Sequence, residues 1–336
     1  MGIDVLLTKL AEIRANPSSR TFLLADARDA DMAWGIPSFG PSRSGQGFRS
    51  APAFLEEIRA VVRQGMVDVL LASVSTMETL AHKERLFDGS KVAPAVRIND
   101  ATDIWLARGA SYQQRPSVPF ATAHIQEAQY GSLTASRAGA PVVNLGLYSM
   151  TFNDNLEADL RSLQAFREFR TDAEKCGFQY FLEVFAPNAP SPSLSPEQVP
   201  AFVNDSIVRA LAGVPSNGRP LFLKIPYFGP GPLEELVAYD PSLIVGILGG
   251  SSGTAYDAFQ LLADARNHGA RVALFGRRIK DSEHPLAFIR MLRLIADGEL
   301  QPKEAVRAYH GELENEGISP KRQLEEDLLP TGSRTD

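Results

Sequence analysis

The chain has 336 residues, 44% of them hydrophobic, 22% charged and 8% aromatic, which excludes disorder, a collagen-like repeat and a disulfide-built scaffold. The 34 basic residues against 40 acidic ones leave a net charge of -6, so no positive field attracts a nucleic-acid backbone and none is expected as a partner. Cys176 stands alone and can form no internal disulfide, the first residues carry neither a secretory nor an acylation signal, and no apolar run approaches the roughly 20 residues needed to cross a bilayer. A cytoplasmic protein without a membrane partner is expected.

Residues 1 to 20 read as a leading helix with Val5, Leu6, Leu10 and Ile13 on one face. Eight short β-branched or aliphatic runs follow: Phe22 to Asp26, Val67 to Ser73, Val92 to Asn99, Val142 to Tyr148, Tyr180 to Phe185, Leu221 to Tyr227, Leu243 to Gly250 and Val272 to Arg277. Each is apolar on both faces, as a strand of a buried parallel sheet is. Between them lie amphipathic segments such as Ala53 to Gln64, Leu156 to Cys176, Glu197 to Leu211 and Thr254 to Asn267, several with glycine just past the end, where a helix C-cap favours it.

Eight strand–helix units in about 260 residues predict an α/β (β/α)8 TIM barrel, whose working face is built at the C-terminal ends of the strands. One domain is expected over 1–336, its core spanning about 20–300, with C-terminal helices over 284–329. The competing doubly wound sheet would carry a glycine-rich phosphate turn after its first strand, where this chain has Asp26-Ala27-Arg28-Asp29. Two Gly/Pro/Ser-rich stretches, 35–52 and 109–122, are long for a compact barrel, and read as lids on the catalytic face or else as solvated excursions or oligomer contacts.

Lys224, inside Leu221-Phe222-Leu223-Lys224-Ile225-Pro226-Tyr227, is the most informative residue. An ammonium in an apolar strand loses hydration, which favours the free amine that attack on a carbonyl requires. Alternation puts Phe222, Lys224 and Pro226 on the inward face. On the preceding strand Phe181, Glu183 and Phe185 share that parity, so Glu183 could shuttle protons for the lysine or simply pair with it. Asp26 is a third polar group at a strand end, with a helix cap as its plainer reading. Gly249-Gly250-Ser251-Ser252 and Gly276-Arg277-Arg278 follow the last two strands, where barrels of this kind hold phosphate through glycine backbone and arginine. The five histidines show no metal-ligand spacing, and neither a G-x-S-x-G nor a G-x-x-x-x-G-K-[ST] motif occurs. A metal-free mechanism without a cofactor is expected.

Leu24-Ala25-Asp26-Ala27-Arg28, Leu182-Glu183-Val184, Leu223-Lys224-Ile225-Pro226, Gly249-Gly250-Ser251-Ser252 and Phe275-Gly276-Arg277 together resemble the class I, Schiff-base aldolases of the DhnA-type fructose-bisphosphate and tagatose-bisphosphate group. The resemblance runs over roughly residues 20–300. It implies a homo-oligomeric lyase of carbohydrate metabolism in which Lys224 forms an iminium with a ketose phosphate. Glu183 would be its acid/base carboxylate and Asp26 its strand-one aspartate, while Gly250, Ser251, Gly276 and Arg277 would bind phosphate. Where some members carry a second lysine on strand four, this chain has Asn144; Arg97, one strand earlier, is the candidate to replace that charge. The alternatives are a phosphosugar-binding regulatory barrel without Schiff-base chemistry, and an isomerase or epimerase using Glu183 and Asp26 as two bases.

Overall fold

The computed structural model describes residues 2–16, 18–42, 46–134, 139–250 and 253–331. Eight parallel strands close into a barrel: β1 (Leu23–Arg28), β2 (Val69–Ala72), β3 (Ala93–Arg97), β4 (Leu145–Thr151), β5 (Gln179–Phe185), β6 (Leu223–Ile225), β7 (Val245–Leu248) and β8 (Val272–Phe275). Each strand pairs with its neighbours in sequence, and the ring closes where Leu23 of β1 meets Val272 of β8. The predicted TIM barrel is therefore the observed fold, with every expected run contributing one strand.

Alternation within the strands separates two cores. Leu23, Ala25, Leu71, Phe181, Phe222 and Leu274 point into the barrel, whereas Leu24, Leu70, Val96, Leu182, Leu223 and Phe275 point to the covering helices. The leading helix, Gly2–Ala15, stoppers the N-terminal mouth: its Leu6, Leu10 and Ile13 belong to the barrel interior cluster, and Arg14 donates to the Leu221 carbonyl at 2.7 Å. Glycines end several helices as expected, with Gly65 and Gly177 in the left-handed conformation after Ala51–Gln64 and Leu156–Cys176. The helix expected from Glu197 begins at Val199, with Pro200 in its first turn.

At the C-terminal face the segments after β1 and β3 are tied to each other and to the scaffold. The segment after β3 forms a small antiparallel ribbon, Asp100–Ala101 with Phe120–Pro119, and Asp103 within it accepts from Ser117 at 2.8 Å and Thr151 at 2.6 Å. Leu106 donates its backbone N–H to Ala33 of the loop after β1 at 2.8 Å. That loop is stapled by Arg49, which pairs with Glu57 at 2.6 Å and donates to the Lys280 carbonyl at 3.1 Å. After β8 come the helices Pro285–Asp297, Pro302–Asn315 and Leu324–Asp327. No helix among the described residues is long and apolar enough to cross a membrane.

Candidate active site

β5 and β6 are in register at Glu183 and Lys224, so both side chains enter the barrel at the same height, as their parity predicts. Lys224 Nζ lies 2.6 Å from Glu183 Oε1, with the carboxylate 1% and the lysine side chain 7% exposed. The lysine is thus paired within a polar network, not isolated among apolar side chains. Gly246 is its register partner on β7.

The network continues across the barrel mouth. Glu183 Oε2 accepts from Ser149 Oγ at 2.6 Å and from Arg97 Nη2 at 3.2 Å. Arg97 also donates from Nη1 to Ser149 at 2.7 Å and from Nε to Asp29 at 2.5 Å. Asn99 fixes Ser149 from behind, accepting from its backbone N–H at 2.7 Å and donating to its carbonyl at 2.8 Å. Two cations and two carboxylates therefore alternate in a largely dry site, where each charge needs its partner. Burial works against the ionised form of Asp29, but Arg97 and Lys224 outweigh it and hold this carboxyl below its ordinary range. Burial likewise works against charge on Arg97, and Asp29 and Glu183 overcome it and raise its pKa.

Two sequence-based assignments are corrected by this arrangement. Asp26 has the outward parity of Leu24. It lies beneath the helix Ala51–Gln64, fully buried, and its carboxylate accepts from Arg28 Nε at 2.9 and 2.8 Å. Burial raises its pKa despite that arginine. The inward carboxylate at this strand end is Asp29, two residues beyond the inward Ala27. Asn144 lies one residue before β4, at the opposite end of the barrel, where it accepts from Gln129 at 2.7 Å and donates to the Gly177 carbonyl at 2.9 Å. The fourth strand begins three residues later than its β-branched start suggested, because register with β5 places Leu145 opposite Gln179. Ser149, not Asn144, consequently reaches the site. Arg97 is an inward cation at the mouth that donates from Nε, Nη1 and Nη2 to Asp29, Ser149 and Glu183, so three of its five N–H groups serve the network.

Gly250, Gly276 and Arg277 lie together at the ends of β7 and β8, on one side of Lys224; Ser251 falls outside the described residues. Gly250 has a positive φ of 65°, and Gly276 approaches β1 so closely that a Cβ there would lie 2.6 Å from the Ala27 carbonyl oxygen, a contact only glycine tolerates. Arg277 is exposed, its guanidinium 4.9 Å from the centroid of the Trp34 ring. Arg278 turns away and donates to the carbonyls of Gly253 and Thr254, bracing the turn after β7. Among the described residues no group of histidine, cysteine, aspartate and glutamate has the geometry to hold a metal ion.

Sequence reasoning missed Asp29, Ser149 and Asn99. Counting parity inward from Leu23 and Ala25 would have found Asp29; nothing in the run Leu145–Thr151 marks Ser149 without the register.

No protein-family model matches the chain, and no curated protein matches it in sequence. Solved structures do match. An archaeal fructose 1,6-bisphosphate aldolase superimposes with a TM-score of 0.60 at 19% identity, over 86% of this chain and 99% of its own. Another archaeal fructose-1,6-bisphosphate aldolase, whose catalytic lysine is covalently bound to the carbinolamine intermediate of the substrate, gives 0.60 at 19% over 86% and 100%. The fructose-bisphosphate aldolase from Slackia heliotrinireducens gives 0.64 at 16% over 92% of both chains. Likeness at such identities is likeness of fold, and in fold this chain stands with the DhnA-type class I fructose-bisphosphate aldolases that its sequence resembles.

Proposed function

We propose that the chain is a class I aldolase that reversibly cleaves a phosphorylated ketose of the fructose- or tagatose-bisphosphate kind to dihydroxyacetone phosphate and an aldehyde. The observation that carries the reading is the contact of 2.6 Å between Lys224 Nζ and Glu183 Oε1 at the inner, C-terminal end of adjacent barrel strands. At that distance the lysine passes a proton to Glu183 and its free amine adds to the ketose carbonyl. One proton of the added amine moves to the carbonyl oxygen to give the carbinolamine, and Glu183 returns its proton to that hydroxyl, which leaves as water and gives the iminium. Asp29, held ionised, accepts the proton of the hydroxyl that becomes the aldehyde. The electron pair of the breaking carbon–carbon bond moves into the iminium as an enamine. Protonation of that carbon and addition of water release dihydroxyacetone phosphate and restore the amine. Gly250, Gly276 and Arg277 take the phosphate, with Ser251 assigned to the same segment from the sequence.

The isomerase alternative required Asp26 as a second base facing Glu183, and Asp26 instead faces the helix layer. Reduction with sodium borohydride in the presence of dihydroxyacetone phosphate, followed by peptide mass spectrometry, tests the reading. A stable adduct on Lys224 that vanishes in Lys224→Met supports it. Binding of the phosphosugar by calorimetry with no adduct refutes it in favour of a non-catalytic phosphosugar-binding barrel.

A further inference from the structure

A cavity of about 730 Å3 lies outside the barrel wall, between β4, the helix Leu156–Cys176 and the segment that follows β3. Its floor includes Ile98 and Tyr148, which have the outward parity, whereas their neighbours Arg97 and Ser149 face the catalytic network. The barrel wall therefore stands between this space and Lys224. Its sides are held in place. Trp105 packs edge-on against Phe120 with ring centroids 5.3 Å apart, and Gln126 donates to Cys176 Sγ at 3.8 Å, tying the short helix Ile125–Tyr130 to the end of the long one. Phe169 stacks on Tyr148 at 4.5 Å. Two polar groups are left over in this aromatic setting. Tyr148 is 3% exposed, yet its hydroxyl has no hydrogen-bond partner among the described residues, although a buried phenol ordinarily finds one. Burial first, and then the Glu168 carboxylate, hold that phenol above its ordinary pKa, so it keeps its proton. Glu168 also lines the cavity and forms no ion pair among the described residues, while Asp172, the other carboxylate of the lining, holds Lys175 at 3.5 Å.

We propose that this cavity is a second binding site, separate from the catalytic one, for a small aromatic amine. The ring of such a ligand packs among Phe120, Ile125 and Phe169, a polar atom on it meets the Tyr148 hydroxyl, and its ammonium pairs with Glu168 at the rim. Apolar and aromatic walls with a few convergent polar groups, in a space of this size, are what small-molecule sites are built from. The charges select the sign of the ligand. The lysine of the lining is already held by Asp172, so a phosphate or carboxylate finds no free ammonium there, whereas a cation finds an unpaired carboxylate beside aromatic rings. An aromatic wall or an exposed carboxylate is ordinary by itself. A buried hydroxyl without a partner is not, because its desolvation is recovered only when a ligand bonds it.

Titration calorimetry on the full chain tests this with tryptamine as the probe, skatole as its uncharged counterpart and indoleacetate as its anionic one. Tryptamine should bind saturably, skatole more weakly and indoleacetate most weakly. Glu168→Gln should weaken tryptamine about fivefold, the upper worth of an exposed ion pair, and leave skatole unchanged. Tyr148→Phe should weaken both about fivefold, as the loss of one hydrogen bond does. Ala165→Trp, which fills the cavity from the helix and leaves β4 untouched, should abolish binding of both, so the test does not hang on a change in the strand. Cys176, the one cysteine of the chain, lines the same cavity, and its alkylation by iodoacetamide should slow as tryptamine saturates. Dihydroxyacetone phosphate should not displace tryptamine, which keeps this result independent of the reaction at Lys224. Absence of saturable tryptamine binding, equal affinity for indoleacetate, unchanged binding in Ala165→Trp, unprotected Cys176, or displacement by dihydroxyacetone phosphate overturns the proposal.

Discussion

Glu183→Gln is the substitution that most directly tests the network. Glutamine keeps the shape of the side chain and one acceptor oxygen, so packing and the Ser149 hydrogen bond can survive, but the charge is lost. Lys224 and Arg97 then face each other with only Asp29 between them and solvent, and a balanced cluster becomes one unit positive. Removing one partner from a buried ion pair costs about 3–5 kcal/mol. Glu183 is 1% exposed, so solvent offers no relief, and the retained acceptor puts the expected loss at the lower end, about 3 kcal/mol. An unfolding entropy of roughly 2.1 cal/mol/K per residue over 336 residues is about 0.7 kcal/mol/K, which converts that loss into a fall in Tm of about 4 °C. Calorimetry at neutral pH measures it. The rate of borohydride-trapped adduct formation should fall by about 100-fold or more, the usual worth of a positioned acid–base group. A melting temperature within about 1 °C of wild type would show that the alternation of charge is not what holds the site. An undiminished trapping rate would show that Glu183 does not handle the lysine's proton.

Other outcomes follow from the same geometry. Asp31 accepts from Ser73 at 2.6 Å through one oxygen while its other oxygen is buried without a partner, and burial raises its pKa. Ionised at pH 7 it costs stability, so Asp31→Asn should raise Tm by roughly 1 °C for each kcal/mol recovered; thermal melts should show the gain vanishing in acid, where the wild-type carboxyl is neutral as well. Asp29 has the opposite sign, because its folded pKa is depressed. Its stabilisation is complete above about pH 4, the unfolded value, and is lost as pH falls through the lower folded value, so the Tm gap between wild type and Asp29→Asn should be full at pH 7 and close in acid. Gly276→Ala would place a methyl 2.6 Å from the Ala27 carbonyl oxygen; the backbone of β1 must yield, at a cost of about 1–3 kcal/mol, read as a lower denaturation midpoint and weaker phosphosugar binding.

The barrel was legible because its signal is redundant. Eight apolar runs and the glycines after their helices repeat one message, and an error of a few residues at any end leaves the count intact. Lys224 and Glu183 were legible for a related reason: a charge inside an apolar run is conspicuous, and parity gives its direction. Asp26 was misread because both it and Asp29 are aspartates near one strand end, and a shift of one residue reverses the face. Asn144 was misread because the run Pro141-Val142-Val143 looks like the start of a strand, whereas the start is set by hydrogen bonding to β5. Ser149 stayed hidden because serine near a strand end has no chemical singularity of its own. Its role exists only once Glu183 and Arg97 stand beside it.

Closure of the ring by β1 and β8 has a bearing on biosynthesis. Lys224 and Glu183 lie in the second half of the chain and are neighbours as soon as β5 and β6 pair, whereas Asp29 and Arg97 lie in the first half. A nascent chain can therefore form each pair on its own side, Asp29 with Arg97 and Glu183 with Lys224, before residues 272–275 have emerged and joined residue 23. Each pair is neutral by itself, and what closure of the ring adds is the approach of Asp29 on β1 to Lys224 on β6 across the mouth, so the proton-handling groups come together only with the last seam.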